Sequence, residues 1–146
     1  MNLQTAHFGH LALDASDVLT FPDGLIGMEH LRSWVLLADS TDANIAWLQS
    51  FDAADIALPV VSPTQFVPNY RVCTAPEELE LLGLEELGKA CVLIAVAQSS
   101  QRLTINLKAP LILNLERRIG RQVITLDDRP VQLEIASRSM PLRKSA

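Results

Sequence analysis

Apolar residues fall in short runs rich in β-branched side chains, divided by Gly, Pro, Asp and Ser, with little sustained helical spacing. Leu11–Leu13 and Val18–Phe21 flank an Asp/Ser turn at Asp14–Asp17, and Trp34–Ala38 and Ile45–Gln49 flank the polar loop Asp39–Asn44, a hairpin pattern. Ile56–Val61 is a nearly continuous apolar run in which Pro59 predicts an edge or a bulge. Cys91–Ala97 is apolar on both alternating faces and reads as a central strand buried on both sides. Leu103–Leu107, Leu111–Leu115, Arg121–Leu126 and Val131–Ile135 complete the predicted strands. Helix is scarce. Thr74–Glu77 fits a capping box opening a helix over Glu77–Leu82, closed by Gly83, with Leu79 and Leu82 against the sheet. Leu84–Leu87, ended by Gly88, adds a further turn. The pattern predicts a mainly β fold, a small antiparallel β-barrel-like single domain with one or two short helices.

Length and composition narrow the function. A chain of 146 residues with 49% hydrophobic and 20% charged residues builds a core without disulfides or metal. No repeat or linker interrupts it: residues 1–130 read as the barrel domain, and 131–146 as a C-terminal strand and a basic, disordered-type tail. Net charge is −5, split unevenly: Met1–Glu86 carries 13 acids and 2 bases, and Leu87–Ala146 carries 4 acids and 10 bases. An acidic majority with 5% aromatics argues against direct nucleic-acid binding and fits a basic protein partner. The first Lys or Arg is Arg32, and the longest uncharged run, Ile56–Tyr70, is shorter than the ~20 apolar residues of a membrane span. No membrane is implied. Cys73 and Cys91, far apart and without a nearby His, read as buried reduced thiols of a cytoplasmic protein.

No reactive constellation is evident, and no cofactor or metal is implied. His7 and His10 sit three apart in a strand-like stretch, which sends them to opposite faces, and His30 is isolated. The acid pairs lie in turns or at helix ends and read as solvated faces. Two segments are more informative. In Phe21–Met28, Pro22, Asp23 and Gly24 supply turn chemistry and Gly27 a second change of direction, with Phe21, Leu25, Ile26 and Met28 as apolar bulk. Such a segment either tucks under a barrel end or presents an apolar lip. In Asn106–Asn114, Pro110 interrupts a strand between two asparagines, which makes either an exposed docking edge or a bulge whose Asn side chains satisfy freed backbone groups.

These segments resemble the bacterial flagellar assembly factor FliW family. Phe21-Pro-Asp-Gly-Leu-Ile-Gly-Met28 is similar to that family's FPxGLPGF signature. The resemblance continues through Trp34–Leu37, Trp47–Ser50, Leu81–Glu85, Asn106–Asn114 and Gly120–Ile124, in order, from about Phe8 to Leu126. Two positions depart from the signature: Ile26 stands where the family has proline, and Met28 where it has an aromatic residue.

The resemblance implies a β-barrel protein without enzymatic activity that binds the RNA-binding translational regulator CsrA and stops it repressing flagellin mRNA. Binding is described for the family as allosteric, and flagellin is the competing partner. The partner contact is expected at Phe21, Pro22, Gly24, Leu25 and Gly27, with Asn106, Leu107, Ala109, Pro110 and Asn114. Phe21, Leu25, Leu107 and Pro110 would be apolar anchors. The acidic rim Glu77, Glu78, Glu80, Glu85 and Glu86 would steer encounter. The alternative is a β-barrel module for small molecules or nucleic acid, which needs an apolar cavity or a basic aromatic groove.

Overall fold

The computed structural model describes residues 1–135, and the basic stretch Arg138–Lys144 lies outside them. Seven strands close into a ring: β3 (Val18–Thr20), β4 (Ser33–Ala38), β5 (Ile45–Ser50), β6 (Ala57–Val61), β7 (Cys91–Ser99), β9 (Leu111–Asn114) and β10 (Ile119–Gln122). β7–β9 pairing completes the ring, and every junction is antiparallel except β3–β10, where Thr20 meets Ile119 in parallel. β8 (Arg102–Ile105) and β11 (Leu133–Ile135) extend from β7 beyond the ring, while β1 (Asn2–Thr5) and β2 (Gly9–Ala12) form a separate hairpin. The mainly β barrel is as predicted, with the one parallel seam as the exception. No helix of the described residues is long and apolar enough to cross a membrane.

The strands alternate between two cores. Leu19, Trp34, Leu48, Val60, Leu111 and Leu113 fill the ring's interior. Ile45, Trp47, Val61, Ile94 and Ile112 face outward, under Tyr70, Val72 and Leu82 of the long β6–β7 connection. Phe8 of the β1–β2 hairpin stacks edge-on against Trp47, centroids 5.7 Å apart. A sheet covered on both faces explains why β6 and β7 read as apolar runs with little alternation. β7 is central, with three neighbours, but Ala97–Ser99 are exposed where it leaves the ring with β8, so it is not buried on both sides throughout.

Other differences are local. Pro59 lies between β5 and β7 rather than at a free edge: it faces Trp47 of β5, and β7 pairing begins only at Val60, so its missing N–H breaks no ladder bond. The helix, α1 (Pro76–Leu81), starts one residue early with Ala75 as its N-cap and no side-chain cap, because Pro76 takes the first helical position and leaves Thr74 outside. The further turn is a 3₁₀ turn at Leu87–Lys89 rather than Leu84–Leu87. The two cysteines are free, and Cys73 is exposed rather than buried, on the irregular connection ahead of α1.

Candidate protein-binding site

The Phe21–Met28 turn caps one end of the ring. Phe21 and Leu25 point inward and are buried, while Ile26 is 56% exposed. The turn is held by Gly24 N–H donating to Phe21 O (2.8 Å) and Met28 N–H to Leu25 O (2.8 Å). Gly24 has φ +67°, and a Cβ there would come within 2.5 Å of the Glu29 backbone, so the turn requires glycine. Across the interior, a Cβ on Gly120 would stand 2.7 Å from the Phe21 ring and 2.6 Å from Leu113. Phe21 thus occupies space that β10 leaves empty. The segment both tucks under the barrel end and leaves a lip: Pro22, Ile26 and Gly27 are outside.

The Asn106–Pro110 segment is a wide bulge. β8 pairs with Val96–Ser99 of β7, and β9 pairs with Cys91–Leu93 of the same strand. Ile94 and Ala95 therefore lie opposite five residues, Asn106–Pro110. Asn106 Oδ1 accepts from Lys108 N–H (3.0 Å) and Ala109 N–H (3.1 Å), so the side chain satisfies backbone groups freed by the break. Tyr70 donates its hydroxyl to Leu107 O at 2.6 Å, and Lys108 Nζ donates to Asp127 O at 2.7 Å. Burial pushes the Tyr70 phenol up to about 12, Arg129 opposing and Asp127 adding to the shift. Asn114 is buried too, donating from Nδ2 to Leu82 O (2.8 Å) and accepting Arg117 N–H (3.2 Å), which ties β9 to the end of α1.

The four apolar anchors expected at the surface are therefore revised. Phe21, Leu25, Leu107 and Pro110 are buried, as is Ala109, because the bulge and the turn fold their apolar sides into the two cores. The segments still converge. Leu25, Ile26 and Met28 of the turn, Asn106 of the bulge, Gln122 and Val131 line one cleft of about 290 Å³ at the ring's mouth. Ile26 and Val131, 56% and 58% exposed, stand on its rim. Ile124 and Leu126, just past β10, are also exposed.

β10 joins the three expected regions through two residues, Arg121 and Gln122. Arg121 Nε donates to Glu78 Oε2 of α1 at 2.8 Å, and its Nη1 pairs with Asp23 of the turn. Hydrogen bonding to Glu78 raises the Arg121 pKa, with Asp23 in support. Gln122 Oε1 accepts Ile26 N–H at 2.8 Å, and its Nε2 donates to Ala109 O at 3.0 Å. Adjacent strand residues face opposite sides, so Arg121 and Gln122 reach different neighbours from one backbone position. In the sequence their signal is two polar residues opening the predicted strand Arg121–Leu126.

Glu77, Glu80, Glu85 and Glu86 are exposed, as an acidic rim requires, while Glu78 is half-buried against Arg121. Lys89 lies 3.7 Å from Glu85, an exposed pair worth little. The lopsided charge along the chain is thus interleaved in space: Arg121 from the basic part sits between two acids of the acidic part. Among the described residues no three His, Cys, Asp or Glu side chains are grouped to hold a metal ion.

This fold is similar to that of a solved structure, a crystal structure of the flagellar assembly factor FliW, with TM-score 0.82, 22% identity, and 94% of this chain and 96% of that chain covered. The flagellar assembly factor FliW of Bdellovibrio bacteriovorus is 39% identical over 130 residues, covering 88% of this chain and 74% of its own. That of Lachnoclostridium phytofermentans is 35% identical over 132 residues, covering 87% and 85%. The FliW protein family pattern matches residues 2–135, which takes in the turn, the bulge, both residues of β10 that join them and every described strand: the chain belongs to the FliW family.

Proposed function

We propose that this chain is a flagellar assembly factor that works by binding protein partners in the cytoplasm, without catalysis. CsrA, freed from flagellin mRNA by the interaction, and flagellin are its alternating partners. The carrying observation is the family match across residues 2–135. Charge supports it: an RNA-binding regulator is basic, and exposed Glu77, Glu80, Glu85 and Glu86 offer it an attractive field. The cleft at the ring's mouth, with Ile26 and Val131 on its rim, offers the apolar contact that steering alone does not provide. A small-molecule barrel fits less well, since Phe21, Trp34, Leu48 and Leu111 fill the interior, and a stacking surface fits less well, since Trp34, Trp47 and Tyr70 are buried.

The test mixes the purified chain with purified CsrA, then with flagellin, on a sizing column. Co-elution with each, and loss of the CsrA complex on adding flagellin, is the expected result. No complex with either would overturn the reading.

A further inference from the structure

We propose that Arg121 and Gln122 form a latch coupling helix α1 to the turn that plugs the barrel, so that engaging Glu78 from outside loosens the turn over the cleft. The bonds Gly24 N–H to Phe21 O, Met28 N–H to Leu25 O and Gly27 N–H to Glu29 Oε2 are internal to the turn region. Its exposed outer part is fastened to β10 at two points, Asp23 to Arg121 and Ile26 N–H to Gln122 Oε1.

Arg121 is a shared fastening. Its side chain is 19% exposed, wedged between Glu78 at 29% and Asp23 at 70%. The guanidinium is a planar fork, so the Nε bond to Glu78 sets the direction in which Nη1 meets Asp23. Neutralising Glu78, or drawing it into a pair with a cation from another molecule, weakens that constraint and lets a long side chain turn toward water. Asp23 is then held loosely, and the load falls on the single bond from Ile26 N–H to Gln122. Because Gln122 also holds Ala109 O, the same strand transmits the change to the bulge on the far side of the cleft.

The coupling requires no particular partner, so its failure would leave the partner assignment standing, and absence of partner binding would leave the latch standing. It is tested on the full chain by residue-resolved amide exchange. Glu78→Gln is expected to speed exchange of the Ile26 amide about fivefold, the loss of ~1 kcal/mol of local stability, and to leave the Leu48 amide of the ring unchanged. Coupling is reciprocal, so Asp23→Asn is expected to speed exchange of the Glu78 amide in α1. The double variant should exceed neither single variant by more than the error, because both act through Arg121. Asp23→Asn leaves the helix sequence intact and keeps the test decisive if Glu78→Gln frays α1. An Ile26 amide unchanged in Glu78→Gln with α1 intact, a Glu78 amide unchanged in Asp23→Asn, or additive effects would each overturn the latch.

Discussion

The hydroxyl of Tyr70 donates to the carbonyl oxygen of Leu107 at 2.6 Å, pinning the bulge to a connection nearly forty residues earlier in the chain. Arg129 stacks over the same ring, 4.9 Å from its centroid, and pairs with Asp127 at 2.8 Å. Tyr70→Phe leaves a buried carbonyl without this donor and should cost about 1–3 kcal/mol in urea unfolding. The folded pKa, about 12, lies above the ordinary value near 10. The phenol's contribution is therefore complete below about pH 10 and lost as pH rises toward 12; Tyr70→Phe should flatten that part of the profile.

Asp39 gives the opposite dependence. Burial raises its pKa, but bonds from the Trp47 indole, the Thr41 and Asp42 amides and the Thr41 hydroxyl outweigh it and bring the value down to about 2. A depressed carboxylate stabilises the fold above its ordinary value near 4, and this is lost as pH falls toward 2. Asp39→Asn should be less stable than the parent at pH 7 and show a shallower acid transition, followed by fluorescence.

Gly120→Ala places a methyl group against Phe21 and Leu113. Neither neighbour has free space in the ring, so thermal unfolding should show a loss of about 1–3 kcal/mol. An unchanged melting temperature would mean that Phe21 swings out without cost.

Leu107→Ala empties a core position only 1% exposed, and its cost of about 2–5 kcal/mol should appear in unfolding, not selectively in partner binding. Ile26→Ser, on the rim, should leave the unfolding midpoint nearly unchanged and weaken a partner complex by more than ~1 kcal/mol in calorimetry.

Replacing Glu77, Glu80, Glu85 and Glu86 together by Gln should slow association with the proposed partner CsrA at low salt, change dissociation little, and lose its effect above about 0.5 M salt, where the Debye length is a few ångströms. Stopped-flow rates at several ionic strengths check this. A rate independent of these charges would locate the steering field elsewhere.

Local chemistry was legible at the hairpin turn and at the bulge, though not at the start of α1, where Pro76 displaces the Thr74 cap. The Asp39–Asn44 hairpin turn follows from Asp39, whose Oδ2 accepts Thr41 and Asp42 N–H at 3.0 and 2.9 Å. Asn106 capping its own bulge is the same kind of interaction. Pattern reading does not find β1, because Asn2–Thr5 is short and one of its two buried residues, Thr5, is polar. It could not say which side of the turn faces in, because Phe21 is admitted by the missing Cβ of Gly120, ninety-nine positions away along the chain. The β10 strand itself begins at Ile119 rather than Arg121, where it pairs both with Asn114 of β9 and, in parallel, with the distant Thr20 that no local pattern encodes.

The parallel seam between Thr20 and Ile119 also fixes when the protein can fold. Arg118 reaches across it to donate to Asp17 O at 2.9 Å, a contact between residues 101 positions apart in the chain. A nascent chain that has not yet delivered β9 and β10 from the ribosome carries two open strand edges, on β3 and β7, and an interior without Leu111 and Leu113. Closure therefore waits until β10 has been synthesised, and contacts so distant in sequence make it slow. Chains cut short before Gly120 should be recovered as aggregates or degradation products rather than as smaller barrels.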